Sequence, residues 1–261
     1  MKSINFKTLA IATLFSVAAV SCNKKDDPDP VDPVEKQAEM GFTFKHVVGI
    51  DPLVLGTNNQ YFNDLNEQFQ VTTFNYYITN VKLVKKDGTT YNEPESYHLV
   101  KESEAASKHF HLEDIPYGEY TGIEFLVGVD EARNTSGAQT GALDPVNDMF
   151  WSWTTGYIMA KLEGVSSSST KADNKFRYHI GGFTGENSGI RTVKLTFDQP
   201  MVISSGSVGE VELKADVKKW FGSSLSIAAT SEVMAVGPTS RKIADNYATM
   251  FSITGSSVAI E

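Results

Sequence analysis

Thiols are nearly absent from this sequence: its 261 residues hold one cysteine, Cys22. A single thiol excludes a disulfide framework and a thiolate metal cage. Positive charge is also scarce. Lys and Arg number 23 against 32 Asp and Glu, a formal net charge of −9. No basic stripe interrupts that balance, which excludes nucleic-acid binding, because neutralising phosphates needs clustered Lys and Arg. Beyond residue 20 no apolar run is long enough to span a bilayer. Gly-x-Ser-x-Gly, His-Glu-x-x-His and phosphate-loop signatures are missing too, so the chain is expected not to be an enzyme.

What the sequence does hold begins with a leader. Lys2 and Lys7 precede an apolar run from Leu9 to Val20, broken by Thr13 and Ser16, and small residues stand before Cys22. A basic segment, a short apolar segment and a small-residue cleavage point are the parts of a signal peptide. Cys22 at the cut predicts a lipoprotein: residues 1–21 are removed and acyl chains on Cys22 tether the chain to a membrane. Residues 22–38, with Pro28, Pro30 and Pro33 among Asp and Lys, lack apolar periodicity and read as a disordered tether. The acidic stretch after Cys22 resembles the signal that takes some bacterial lipoproteins to the outer membrane. The expected location is therefore an outer membrane lipoprotein facing the periplasm or the cell surface.

Residues 39–261 read as one all-β domain, an antiparallel β-sandwich of Ig-like type with long loops and one short C-terminal helix. Gly41–Val48 alternates apolar and polar residues. Gln70–Asn80 is rich in β-branched and aromatic residues, and the run continues through Val81–Val84 to Lys86-Asp87-Gly88-Thr89, a hairpin signal with Ser96–Val100 as its partner strand. Pro116 and Gly118 lead into a strand ending at Val127. Gly128–Asp148 is a long loop without periodicity, of a length that is usually functional or disordered. Strands follow at Gly156–Glu163, Phe176–Ile180, Arg191–Phe197 and Val208–Ala215, with a helix around Ser240–Met250. Short strands at this spacing favour a sandwich.

Five histidines are the natural metal donors: His46, His98, His109, His111 and His179. Without thiolates, a transition-metal site must use imidazoles, completed by carboxylates or unusual ligands. His46 is in phase with Phe42 and Phe44, and His179 lies between Tyr178 and Ile180, so both are expected to point inward from separate strands and converge on one ion. His109 and His111, two apart, share a strand face and can chelate, although a solvated edge strand explains them as well. The role of His98 is open. Asp130, Glu131, Asp144 and Asp148 lack the spacing of a calcium loop and read as a polar surface loop. Trp220 reads as packing.

The segments Gly128-Val-Asp-Glu-Ala-Arg-Asn134, Ser136–Pro145, Met149-Phe-Trp-Ser-Trp-Thr-Thr-Gly-Tyr-Ile158, Lys161-Leu-Glu-Gly164, Phe176-Arg-Tyr-His-Ile-Gly-Gly182 and Ile243–Phe251 together resemble the MbnP-like family, exported proteins named after a methanobactin-associated copper protein. The similarity runs from about residue 40 to Phe251. The resemblance implies a β-sandwich that binds one copper ion through histidines and through a kynurenine made by oxidising a tryptophan, with a separate dihaem peroxidase-like partner as the oxidant. Trp151 and Trp153 match the family's tryptophans, His179 its later-strand histidine and His46 a ligand position on the first strand. Relatives from methane oxidisers carry a His-x-His pair where this chain has Arg177, Tyr178 and His179. A different class of function, a tethered adhesion or glycan-binding module without metal, predicts an exposed aromatic platform with polar neighbours, with Trp151 and Trp153 facing solvent and His46 far from His179.

Overall fold

The structure, a computed structural model, describes residues 37–56, 59–137, 139–152 and 155–260, without the Ser152 side chain. The leader, Cys22, most of the tether and Trp153 lie outside the described residues. Ala38, at the end of the expected tether, is already buried and its carbonyl accepts from the Ile115 amide at 3.0 Å. The domain thus starts just before its first strand.

Eleven principal strands build two packed sheets: β1 (Glu39–Val48), β2 (Gln68–Lys85), β3 (Tyr97–Lys101), β4 (His109–Leu112), β5 (Gly118–Val127), β6 (Phe150–Ser152), β7 (Gly156–Val165), β8 (Lys175–Gly181), β9 (Arg191–Ile203), β10 (Ser207–Asp216) and β11 (Phe251–Ile260). The smaller sheet runs β11-β10-β1, with β4 on the far side of β1. The larger runs β9-β5-β2-β7-β8, with β3 and β6 pairing β2 and β7 at its ends. Short helices α1 (Glu131–Asn134) and α2 (Pro238–Tyr247) complete the elements discussed below, and among the described residues no helix is long and apolar enough to cross a membrane.

An all-β sandwich is what the alternation predicted, and most pairs are antiparallel. One long pair is not: β1 and β10 run parallel from Glu39↔Val208 to Val47↔Asp216. Parallel neighbours need a crossover connection, and here the chain passes through the whole larger sheet between the two strands. The hairpin at Asp87–Gly88 forms, with Gly88 at φ 85° and its amide on the Lys85 carbonyl at 2.9 Å. Its immediate partner is the short strand Thr90–Asn92; β3, the expected partner, pairs higher up β2 with Asn75–Thr79.

The inner faces close on a large aromatic core. Phe42 and Phe44 of β1 and Phe74 and Tyr76 of β2 meet Phe125 and Phe251, with Trp220 fully buried against Phe74 and Tyr247. Rings at this density supply most of the burial energy of such a domain. A second, smaller core lies on the other face of the larger sheet. There the long loop folds down over Tyr77, Leu99, Tyr157 and Met159 and adds Val129, Leu143 and Met149. Asn134 fastens it: the side-chain amide donates to the carbonyls of Val129 (2.6 Å) and Asp130 (2.9 Å), while its oxygen accepts from the Tyr157 amide (2.9 Å). The loop is thus an ordered cap over the outer-face core around Tyr77, Tyr157 and Met159.

Candidate metal centre

Strand alternation decides which histidines can meet. On β8, Phe176, Tyr178 and Ile180 point into the main core, so Arg177, His179 and Gly181 take the outer face. On β7 the cross-strand partners on that face are Lys161 opposite His179 and Glu163 opposite Arg177. Glu163 reaches diagonally to His179, whose Nε2 lies 2.6 Å from its Oε1, and Thr73 of β2 donates to the other carboxylate oxygen at 3.1 Å. The hydrogen bond from His179 holds the Glu163 carboxyl below the usual carboxylate range, outweighing burial. In the neutral ring the Nε2 proton therefore faces the carboxylate and Nδ1 keeps its lone pair.

That lone pair is unused. Among the described residues, His179 Nδ1 is the buried side-chain nitrogen or oxygen without a hydrogen-bond partner, and leaving a buried acceptor unsatisfied costs about 1–3 kcal/mol. Trp151 is its neighbour on this face. The half-buried indole of Trp151 packs against Gly181, two residues on from His179, where a Cβ would overlap Cζ3 and lie 3.0 Å from Cε3. Gly181 is therefore the space in which Trp151 sits. Lys161 Nζ, 3% exposed, donates to the Asp148 carbonyl and to its carboxylate at 2.8 Å, which pins the end of the long loop beside the histidine.

The structure does not bring His46 to this place. His46 lies on the inner face of β1, in edge contact with Phe74 and Tyr76 of the main core, whereas His179 is on the outer face of the larger sheet. The expected convergence of the two fails because His179 alternates with Tyr178 and Ile180, which fill the core, so the period of two turns it outward instead of inward. Both nitrogens of His46 are engaged as well: Nδ1 lies 2.7 Å from Glu102 Oε2 and Nε2 lies 2.8 Å from the Tyr76 hydroxyl. Burial raises the Tyr76 phenol well above its ordinary value, so Tyr76 donates to Nε2 and the Nδ1 proton goes to the carboxylate. His46 is a satisfied core histidine, with no lone pair for a metal.

Burial lowers the pKa of His46 from its ordinary 6.5, outweighing the hydrogen bond and charge of Glu102, which raise it; Lys108, 2.9 Å from the same carboxylate, adds to the lowering. The unfolded chain then binds a proton that the folded chain refuses. Stability from this group is complete above pH 6.5 and is lost as pH falls through the lower folded value. The urea midpoint should fall between pH 7 and 5 in the wild type, and His46→Gln should flatten that part of the profile.

Of the remaining histidines, His98 stacks on Phe110, with ring centroids 3.7 Å apart, and pairs with Glu93 at 2.9 Å. His109 and His111 sit on β4, on the outer face of the smaller sheet, away from Trp151. Three of the loop carboxylates have structural partners: Asp130 caps α1 and accepts from Tyr97 at 2.6 Å and Asn80 at 3.0 Å, Asp144 accepts from the Val146 amide at 2.9 Å, and Asp148 pairs with Lys161. Glu163 escaped the sequence reading although it stands in Lys161-Leu-Glu-Gly164. Its outward phase with Lys161 was the available sign, but its partner on β8 needed the register.

Fold and site together define a class: a two-sheet β-sandwich with a histidine, its orienting carboxylate and a tryptophan on the outer face of the larger sheet, under an ordered loop. The profile of the MbnP family matches residues 37–235, and the chain belongs to that family. MbnP from Methylosinus trichosporium has a similar fold, with a TM-score of 0.50 at 13% identity over 78% of this chain and 83% of that one. No curated protein matches the chain.

Proposed function

We propose that the chain is an exported lipoprotein, acylated at Cys22 and held at the outer membrane, that binds one copper ion at His179 and at a kynurenine derived from Trp151. The observation that carries this reading is the buried, unpartnered Nδ1 of His179 on the strand face where Trp151 packs against Gly181, two residues away. A ligating imidazole characteristically gives its other N–H to a carboxylate, and Glu163 is already in that position. The donor set fits: imidazole suits copper, and a kynurenine adds an aniline nitrogen and a carbonyl oxygen where indole has only a donor N–H. Of the tryptophans that match the family, Trp151 is the one with described contacts to this face. His46 is not part of the set.

Ring opening inserts two oxygen atoms across the C2–C3 bond of the indole, and the formyl group then leaves by hydrolysis as formate. The four-electron oxidation consumes two equivalents of hydrogen peroxide, each giving one oxygen atom and leaving as water, at a dihaem peroxidase-like partner of the kind the family resemblance implies. Copper supplies a soft Lewis-acid centre when bound. The protein's own residues orient the imidazole through Glu163 and seat the aromatic side chain over Gly181, while Lys161 holds the loop end at Asp148 beside them. The separation of His46 from His179 meets one sign of a glycan-binding module, and the half-buried packing of Trp151 against Gly181 opposes the other, an exposed aromatic platform.

The test compares protein from its own host with protein made alone in a foreign host. The peptide containing Trp151 should carry the mass of kynurenine only in the first, and only that preparation should retain copper through dialysis. Trp151→Phe should erase the difference and leave the fold in place, since apolar volume is nearly conserved. Equal copper in both preparations, with an unaltered tryptophan peptide, would refute the reading. The mature N-terminus is checked in the same spectra: an acylated Cys22 is expected, and a chain still beginning at Met1 would remove the lipoprotein assignment.

A further inference from the structure

On the outer face of the smaller sheet, three strands bring together a second group of donors that the site above does not use. In one row across β4, β1 and β10, His111 stands opposite Gly41 and Gly41 opposite Glu210. In the next row on that face, His109 stands opposite Thr43. The central position of the first row has no side chain, and the Glu210 carboxylate fills the space. A Cβ on Gly41 would lie 2.5 and 2.7 Å from its two oxygens and 2.8 Å from Cδ. Glycine at position 41 therefore lets the carboxylate lie across β1 toward the imidazoles. One donor atom from each of His109, His111 and Glu210 lies within 4.8 Å of the others.

The two rings are already turned to a common point. Their Nε2 atoms are 2.7 Å apart and the ring planes are 79° to each other. On the opposite nitrogens, His109 Nδ1 is hydrogen-bonded to the Thr43 hydroxyl at 2.8 Å, and His111 Nδ1 has Glu39 Oε2 nearby at 3.6 Å. Both Nε2 atoms thus meet each other, with the Glu210 carboxylate in the same cluster. The hydrogen bond between the two Nε2 atoms occupies the place that a cation with two nitrogen ligands takes.

We infer that His109, His111 and Glu210 form a surface site for a divalent transition-metal ion of the zinc type, separate from the Trp151 face. Zinc–nitrogen bonds of about 2.0–2.1 Å at a tetrahedral angle put two ligand nitrogens about 3.3 Å apart. The exposed rings reach that spacing by a small outward swing, and the ring that donates Nε2–H changes tautomer, its proton moving to Nδ1, so that both neutral imidazoles offer an Nε2 lone pair. Thr43 then accepts the His109 Nδ1–H and Glu39 is the carboxylate nearest His111 Nδ1, the kind of outer-shell arrangement that fixes ligating imidazoles. Three protein ligands leave a coordination position open to water or to a donor from outside.

The experiment titrates Zn²⁺ into the full chain in detergent, made alone in a foreign host so that Trp151 is unaltered, and follows bound zinc and the imidazole resonances. One equivalent should bind with the His109 and His111 signals shifting together. The double variant His109→Asn with His111→Asn should weaken binding at least 100-fold, and Glu210→Gln about tenfold. Gly41→Ala keeps all three ligands but displaces the carboxylate, and should match Glu210→Gln. His109 and His111 are exposed, so an unchanged melting temperature in the double variant certifies its fold. His179→Asn should leave zinc binding as it was, which separates this site from the copper reading. Equal zinc binding by wild type and double variant, loss through His179→Asn instead, or no zinc bound by the wild type overturns the inference.

Discussion

Gly164→Ala should cost about 4 kcal/mol, a large part of the roughly 5–15 kcal/mol that holds a typical domain together. Gly164 lies in the interior of β7 between two neighbours, opposite Val71 of β2 and Phe176 of β8, at a register shift in the β2–β7 ladder. A methyl group there overlaps the Gln70 carbonyl oxygen and comes within 2.6 and 2.7 Å of two carbons of the Phe176 ring. Neither can give way cheaply. The carbonyl is backbone, and Phe176 is fully buried between Phe69, Tyr178 and Phe221. Overpacking of this kind costs about 1–3 kcal/mol by itself, and opening the ladder adds to it. Gly255→Ala is the control, because its nearest neighbour, Glu212 Cβ, is at 3.8 Å, an ordinary contact. Urea unfolding should move the midpoint sharply down for the first and hardly at all for the second. Similar midpoints for both would show that β7 and β2 can separate without loss.

Gly164 also marks the boundary of what could be read from the sequence. It stands in a quoted motif, Lys161-Leu-Glu-Gly164, and nothing local says that another strand's carbonyl presses on it. Local signals were reliable where their physics is local. The turn at Asp87–Gly88 needs only a glycine with positive φ, the alternation of β1 needs only one apolar face, and the helix near the C-terminus needs only its own spacing; on β8 the same alternation turns His179 outward, against the inward expectation. Pairings across long separations were out of reach. Gly41 meets Glu210 and His111, Lys161 meets His179, and Glu67 accepts from Ser226 and from the Ile227 and Ala228 amides at 2.7–3.0 Å. Each depends on register, and a shift of one residue would turn the whole strand over. The same gap misplaced His46. Its phase was read correctly as inward, but the partners that satisfy it, Glu102 and Tyr76, come from 56 and 30 residues away. His179 was placed in the site by its resemblance to the family's histidine; its outward face, its free Nδ1 and the role of Glu163 required the assembled sheet.

Copper retained by protein from its own host should fall at least 100-fold in affinity on His179→Asn, and about 10–100-fold on Glu163→Gln. The two numbers differ because the residues act differently. His179 would donate the lone pair itself, and asparagine cannot place a nitrogen lone pair there. Glutamine at 163 can still accept the Nε2–H and keep the ring roughly oriented, but it removes the negative charge that strengthens that bond when a cation draws electron density from the imidazole. Neither substitution touches Trp151 or Gly181, so the mass of kynurenine should persist in both variants while copper is lost. That dissociation is the informative outcome, since a variant that merely misfolds the face would lose the modification and the metal together. Should copper stay bound in His179→Asn and disappear in Trp151→Phe, the kynurenine would be the anchor and the lone pair of His179 Nδ1 would need another explanation.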